Sequence, residues 1–431
     1  MPILSKFICK SIIVIITMVS LCFILSIIPN YIPGHIIKKN LDKSIDIIIS
    51  DDSEQPICNL IFFKLDNFTD ALMLNIANNV NSNTPLKSAM ENKYFTDDNF
   101  DIISTTKNII NNDYDNATSV NYTRYWHGNQ LFLRPLLLIC DYNGIRIVNC
   151  ICLSILFIFL CFLLIKNEQR SIAISLCISI IAMNLWIVPL SMQFSTTFYI
   201  SFLASIFLLL MLENKNNMKK NIFQFFIVVG GATSFFDLLT TPLITLGIPL
   251  IIYTSVINIS IREKIYSVVS CSIAWIIGYS FVWISKWCFA HYIIGYDFYD
   301  AISSIMFRTS TEYNDFDMSL KGIFDFMINN APIAFYIASI LFILFIIFNL
   351  ILYYKKKSAF IENSFLLLIS SMPIIWCIVL RNHSIIHCSF VWRIFIISMV
   401  SYILFITNIY LAKNKNKIIY FQLAQYRYTN H

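Results

Sequence analysis

Residues 147 to 165 read IVNCICLSILFIFLCFLLI, a run without one Asp, Glu, Lys, Arg or His. A helix rises about 1.5 Å per residue and needs roughly 20 apolar residues to cross the hydrocarbon core. The run has that length. Working outward from it, nine further apolar stretches are candidate spans, near 8–29, 171–190, 194–212, 222–236, 239–257, 265–288, 332–352, 362–380 and 389–411. Composition agrees: 57% of the 431 residues are hydrophobic and 13% are charged, against about a quarter charged in a soluble domain. The expectation is an all-α polytopic membrane protein with about ten transmembrane helices.

The first stretch follows Lys6 and Lys10, is longer than a secretory h-region, and has no small-x-small cleavage site behind it. It reads as a retained anchor over 1–29. Lys6 and Lys10, Lys166 and Arg170, Lys215, Lys219 and Lys220, Arg262 and Lys264, Lys355 to Lys357, and Lys413, Lys415 and Lys417 fall in alternate loops. The positive-inside rule then puts them all on the cytoplasmic side of a plasma (inner) membrane, with both termini there. Two long external loops result, 30–146 and 289–331. The first is rich in Asp and Asn and carries patterned segments, which predicts a partly folded region with juxtamembrane helices. In the second, Phe298, Ile302, Ile305 and Met306 have helical spacing and predict an interfacial helix. Between the loops lies a bundle over 147–288. Helices over 332–411 and a cytoplasmic tail over 412–431 complete the chain. Gly230, Gly231, Pro242, Gly247 and Pro249 interrupt the run around Asp237, which predicts a helical hairpin with Asp237 at an outward tip.

Several function classes drop out. The net charge of +6 sits in short clusters between apolar runs, so no nucleic-acid partner is implied. Most of the twelve cysteines lie inside apolar runs and only Cys58 is well inside the large polar loop, so no disulfide framework is implied. The chain has no Walker A, GxSxG or Rossmann fingerprint. No period of 20–50 residues recurs, which argues against an inverted-repeat transporter.

Three constellations remain on the proposed outer face. In LDNFTDALMLNIANNVNSNTP, residues 65–85, Met73, Ile76, Ala77 and Val80 share one helical face and Asp70 lies at its edge. Asp66 and Asp70 are one helical turn apart and can face one pocket. They suit a helix start equally well, Asp66 as N-cap and Asp70 in the first turn. In RYWHGNQLFLRPLLLICDYNGIR, residues 124–146, Arg124, His127, Arg134 and Arg146 stand beside Tyr125 and Trp126. That pattern suits a lipid-phosphate site; it equally suits an aromatic belt with snorkelling arginines. In RNHSIIHCSFVWR, residues 381–393, Arg381, His383, His387 and Arg393 cluster without an acidic third ligand or an HExxH. A cationic patch or a proton-sharing site fits them better than a metal pair. Arg308 in the second loop can join this patch. Asp237 is an ionisable group at membrane depth, a functional candidate or a helix cap, and Gln193 belongs to the same face.

The segment TDALMLNIANNVNSNTP resembles the first external loop of the GT-C superfamily, polytopic glycosyltransferases that use polyprenyl-phosphate-linked sugars. The local likeness covers about twenty residues; the topology, one span followed by a large external loop and many further spans, extends it over the chain. Asp70 stands where the family's catalytic Asp would stand, followed by Ala71 where the commoner pattern has Glu. The resemblance implies an inverting glycosyltransferase. It would move a sugar from a polyprenyl-phosphate donor to a cell-surface glycan or lipid acceptor on the extracytoplasmic face. Asp70 would be the general base, Asp66 its cap, and the arginines would hold the phosphate. No cofactor is implied, and a divalent metal is compatible with the chemistry without being indicated. The competing reading is a non-catalytic transporter or flippase of lipid-linked glycan, with Asp237 as a coupling group.

Overall fold

A computed structural model describes residues 2–53, 65–211, 215–313, 316–317, 319–330 and 332–411. Cys58 and the tail over 412–431 lie outside the described residues. The described residues are 81% helical with few strands. Each of the ten apolar runs coincides with helix, but their lengths differ from the expectation. Among the described residues, five helices are long and apolar enough to cross a membrane: Leu4–Tyr31, Tyr142–Lys166, Met192–Leu210, Ile261–Ile294 and Cys388–Leu411.

The shortfalls have local causes. The run predicted over 171–190 breaks after Ala182, where Asn184 takes a left-handed φ of 51° and a 3₁₀ turn over Leu185–Leu190 carries Pro189. The run over 239–257 starts only at Leu243, behind Pro242, because residues 237–242 form a turn. The run over 362–380 divides at Ser371, ahead of Pro373, which lacks the N–H a continuous helix needs.

Between the first and second long helices the chain folds as a layer. After α1 (Pro2–Ile27) come α2 (Gly34–Ser53), α3 (Asn67–Asn78), α4 (Pro85–Glu91), α5 (Ile102–Ile110) and α6 (Gln130–Leu137). The strands β1 (Lys93–Thr96) and β2 (Thr118–Asn121) pair antiparallel, Lys93 opposite Asn121 and Thr96 opposite Thr118. Ile37, Leu41 and Ile45 of α2 pack with Met73, Leu74 and Ala77 of α3, Ile103 and Ile110 of α5, and Leu133 and Leu137 of α6. Each large side chain so buried contributes roughly 1.5–3 kcal/mol. The amphipathic helix expected at 66–80 is therefore a helix but not amphipathic: Ala71 through Ala77 are all buried. Asn75 fixes it to β1, donating from Nδ2 to Phe95 O at 3.1 Å and accepting from Phe95 N at 3.0 Å.

The bundle follows as α7 (Tyr142–Lys166), α8 (Arg170–Ala182), α9 (Met192–Leu210), α10 (Lys215–Phe236), α11 (Leu243–Val256) and α12 (Ile261–Ile294). Ser260 and Glu263 form a reciprocal capping box on α12, and Gly295 ends it at φ 71°. α10 and α12 touch through glycine: a Cβ on Gly230 would collide with the Trp275 carbonyl, and one on Gly278 with the Ile227 carbonyl. Small residues allow backbones this close in a bilayer, where apolar burial alone does not drive association. α13 (Phe298–Thr309) then exposes Tyr299, Ile302, Met306 and Phe307. A short ladder of β3 (Glu312–Tyr313) and β4 (Phe316–Asp317) follows.

Candidate functional site

A cavity of about 510 Å³ opens where the first-loop layer, the second loop and the segment before the last long helix meet. Its wall takes Asp66, Asn67 and Thr69 from the start of α3, Asp101 from the start of α5, Gln193 and Phe194 from α9, Thr240 from the 237–242 turn, Arg308 from α13, and His383, His387 and Phe390.

Asp66 has two features at once. As N-cap it accepts from Thr69 N at 3.1 Å, and it also faces the cavity. Asp101 caps α5 in the same way, accepting from Ser104 N at 2.8 Å. Asp70 sits one turn behind Asp66 and is 1% exposed. Tyr142 Oη donates to one of its oxygens and Gln193 N to the other at 3.1 Å. Burial pushes the Asp70 carboxyl up to about 7, with the Asp66 charge adding to the rise and the Tyr142 hydrogen bond opposing it. Asp70 thus braces the first loop against α7 and α9.

Gln193 connects this brace to the hairpin turn. Its side-chain amide donates to Thr240 Oγ1, while its own Oε1 is buried without a hydrogen-bond partner. Thr240 N donates to both Asp237 oxygens, at 3.2 and 3.0 Å. The Asp237 carboxyl is fully buried and is pushed up to about 7 by that burial, against the amides of Thr240, Leu239 and Thr241. Leu239 in this turn has φ 68°, a strained value for a residue with a Cβ.

His383 holds the strained turn from the other side. Its Nε2 is 2.9 Å from the Leu239 carbonyl, so Nε2 carries the proton, and Nδ1 is buried with no partner. The His387 ring lies 4.7 Å from it and stacks on Phe390 at 5.0 Å. Burial pulls His383 down to about 3 and lowers His387, with Arg308 contributing to both. Arg308 places its guanidinium 5.7 Å from the Tyr125 ring centre and leaves Nη1 buried without a partner. Arg393 stands behind the wall, 3.9 Å over the Phe194 ring, within electrostatic reach of Asp66.

The other predicted site residues are engaged elsewhere. Arg134 is fully buried and donates to the carbonyls of Pro29, Ile32 and Ala77. Arg146 pairs with Asp51 at 2.5 Å and donates to Leu190 O at 2.8 Å. Arg124 lies 3.8 Å from Asp300 and over the Tyr122 ring. His127 is buried with Nε2 3.0 Å from Tyr122 O, and burial pulls it down to about 3. Arg381 lies near Asp317, whose carboxyl its charge helps to lower, outside the cavity wall. Of the thirteen residues predicted for the site, the structure brings Asp66, Gln193, Arg308, His383 and His387 onto one wall, with Asp70, Asp237 and Arg393 just behind.

Sequence reasoning missed Tyr142, Thr240 and Asp101. An Asp three residues before a Thr or Ser, as in DLLT and DIIS, was the available signal for the last two. Tyr142 offered no signal beyond an aromatic near a span end. Among the described residues no group of three or more His, Cys, Asp or Glu side chains is placed to hold a metal ion.

Compared with protein-family models, curated proteins and solved structures, the chain matches none.

Proposed function

We propose that this chain is a GT-C-like glycosyltransferase of the plasma (inner) membrane. In this reading it has ten spans, cytoplasmic termini and an extracytoplasmic active face, with the shorter apolar helices completing the bundle. Its donor is a polyprenyl-phosphate sugar entering from the outer leaflet, and its acceptor is a hydroxyl of a cell-surface glycan or lipid. One observation carries the reading: a carboxylate from the first loop, an arginine from the second and a histidine pair near the C-terminal end share one cavity wall. Those are the groups an acceptor hydroxyl and a departing phosphate need.

In the proposed step Asp66 accepts the proton of the acceptor hydroxyl as that oxygen bonds to the anomeric carbon. The bond from that carbon to the phosphate oxygen breaks, and Arg308 holds the negative charge that gathers there. A single displacement inverts the anomeric centre. Asp66 takes the role first read for Asp70, because only Asp66 of the two reaches the cavity. Asp70 supports it by fixing the start of α3 to Tyr142 and Gln193.

The transport reading loses its coupling group, since Asp237 is engaged by the amides of its own turn. Buried Lys286 of α12 is likewise engaged, donating to Ala89 O at 2.6 Å. The test is transfer of a labelled sugar from a polyprenyl phosphate in proteoliposomes. Transfer lost in Arg308→Ala at normal expression and folding supports the reading. Net movement of the lipid between leaflets without transfer would replace it with the flippase.

A further inference from the structure

The cavity wall carries two carboxylates, Asp66 and Asp101, and one guanidinium, Arg308. With neutral imidazoles that wall is poorly matched to an anion. His383 shows how the mismatch is resolved. Its Nε2–H is fixed on the Leu239 carbonyl at 2.9 Å, so in the neutral ring Nδ1 presents a lone pair, and this atom is buried with no partner. An anion beside the neutral ring, which lines the cavity, faces this lone pair and finds no donor there. An imidazolium donates from both nitrogens, one to Leu239 and one to the ligand.

We propose that the cavity binds the phosphodiester headgroup of a lipid-linked sugar together with one proton, which the His383–His387 pair takes up as the anion arrives. The proposal rests on the glycosyltransferase reading above. The proton comes from solvent and no bond to carbon changes. Anion and proton cancel, so the enclosed site keeps its charge on binding, which avoids the cost of desolvating an unmatched charge. One proton is shared because the rings lie 4.7 Å apart and two imidazoliums there would repel.

The groups facing the pair set the balance. Burial keeps the empty pair neutral, and Arg308 on α13 acts the same way. Asp66 and Asp101 line the same cavity. Arg393 lies behind Phe194, and Asp237 caps the turn that carries Leu239. Arrival of a negative charge among these groups opposes both the burial and the Arg308 field that lower the imidazoles, and so favours their protonation.

A farnesyl methyl phosphodiester is the suitable probe, because it has no group of its own that titrates near neutral pH. Calorimetry on the full chain in nanodiscs, in two buffers of different ionisation enthalpy, reads the protons absorbed per ligand bound. Close to one proton is expected at neutral pH, with affinity rising up to about tenfold per unit fall in pH. His387→Gln, which leaves the Leu239 contact intact, and His383→Gln should each reduce the uptake, and the double variant should abolish it. Binding without proton uptake overturns the proposal and leaves the transferase reading standing. No binding of the diester overturns both. Equal affinity for inorganic phosphate would show that the prenyl chain is not recognised and overturn the lipid-linked part.

Discussion

In the first-loop layer Arg134 donates to Pro29, Ile32 and Ala77, tying the end of the first long helix to α3. In the cavity wall Arg308 keeps Nη1 buried and without a partner. Both are arginines beside aromatic residues in the two long loops, and sequence alone placed them in one phosphate site. The first guanidinium bridges carbonyls of two segments; the second keeps one buried N–H group without a partner in the chain. An arginine in such a setting announces a need for donors, and only its partners say whose need it is. The same contrast separates the carboxylates. Asp70 and Asp237 are enclosed by donors of their own fold, while Asp66 caps a helix and still faces the cavity.

Breaking the first side of this contrast should have the largest effect. Arg134→Ala removes the guanidinium from the carbonyls of Ala77 and Ile32 and takes one of two donors from Pro29, and should destabilise the fold by about 4 kcal/mol or more. Thermal unfolding in detergent measures it. A variant that folds normally and only binds donor poorly would put Arg134 back in the phosphate site.

The carboxylates sharpen the second side. Asp66→Asn preserves the cap, since Asn caps about as well as Asp, and should lower transfer by a factor on the order of 10² or more. Asp70→Asn should retain more activity than Asp66→Asn and lose stability instead. The reverse order, Asp70→Asn dead and Asp66→Asn active, returns the base to Asp70.

Arg308→Lys keeps the charge and loses the bidentate fork, so donor affinity should weaken about tenfold with little change in folding. Titrating transfer rate against donor concentration reads this directly, and an unchanged half-saturation point removes Arg308 from the site.

The smallest effect is a pH dependence. Asp237 is held at about 7 when folded, against 3.8 for the free side chain. An unfolded chain releases that proton near pH 4 while the folded one keeps it to about 7. The stability it contributes is therefore complete below about 3.8 and lost as pH rises through 7. Asp237→Asn should gain stability relative to the wild type, by a few degrees in Tm, as pH rises across that window. His127 and His383, held at about 3, act in the opposite sense, losing stability as pH falls below 6.5. They are unchanged in the variant, so the difference isolates Asp237. A difference that does not move with pH would mean the carboxyl is not enclosed as described.

Much of this protein was readable from its sequence because the relevant forces are local. Nineteen residues without charge from Ile147 can only be a long apolar helix. Asp66 before NFTD and Ser260 before IREK are caps by residue type and spacing alone. Whether a run reaches full crossing length was less legible, because Asn184 and the segment before Pro242 end helices inside stretches that remain apolar. Hydropathy measures solvent preference and is blind to backbone breaks.

The site lay beyond that horizon. Spacing on α3 put Asp66 and Asp70 on one face, one turn apart, but could not say which carboxylate would be covered. The cover is Tyr142, seventy-two positions away, and Gln193, farther still. Arg134, Arg308 and Arg393 carry the same charge and the same fork, and their fates differ because one meets carbonyls, one a cavity and one an aromatic face. Sequence determined which groups had to find partners once they were buried. Tertiary structure decided which partners they found, because a buried donor or acceptor is satisfied by whatever segment the packing brings within about 3 Å.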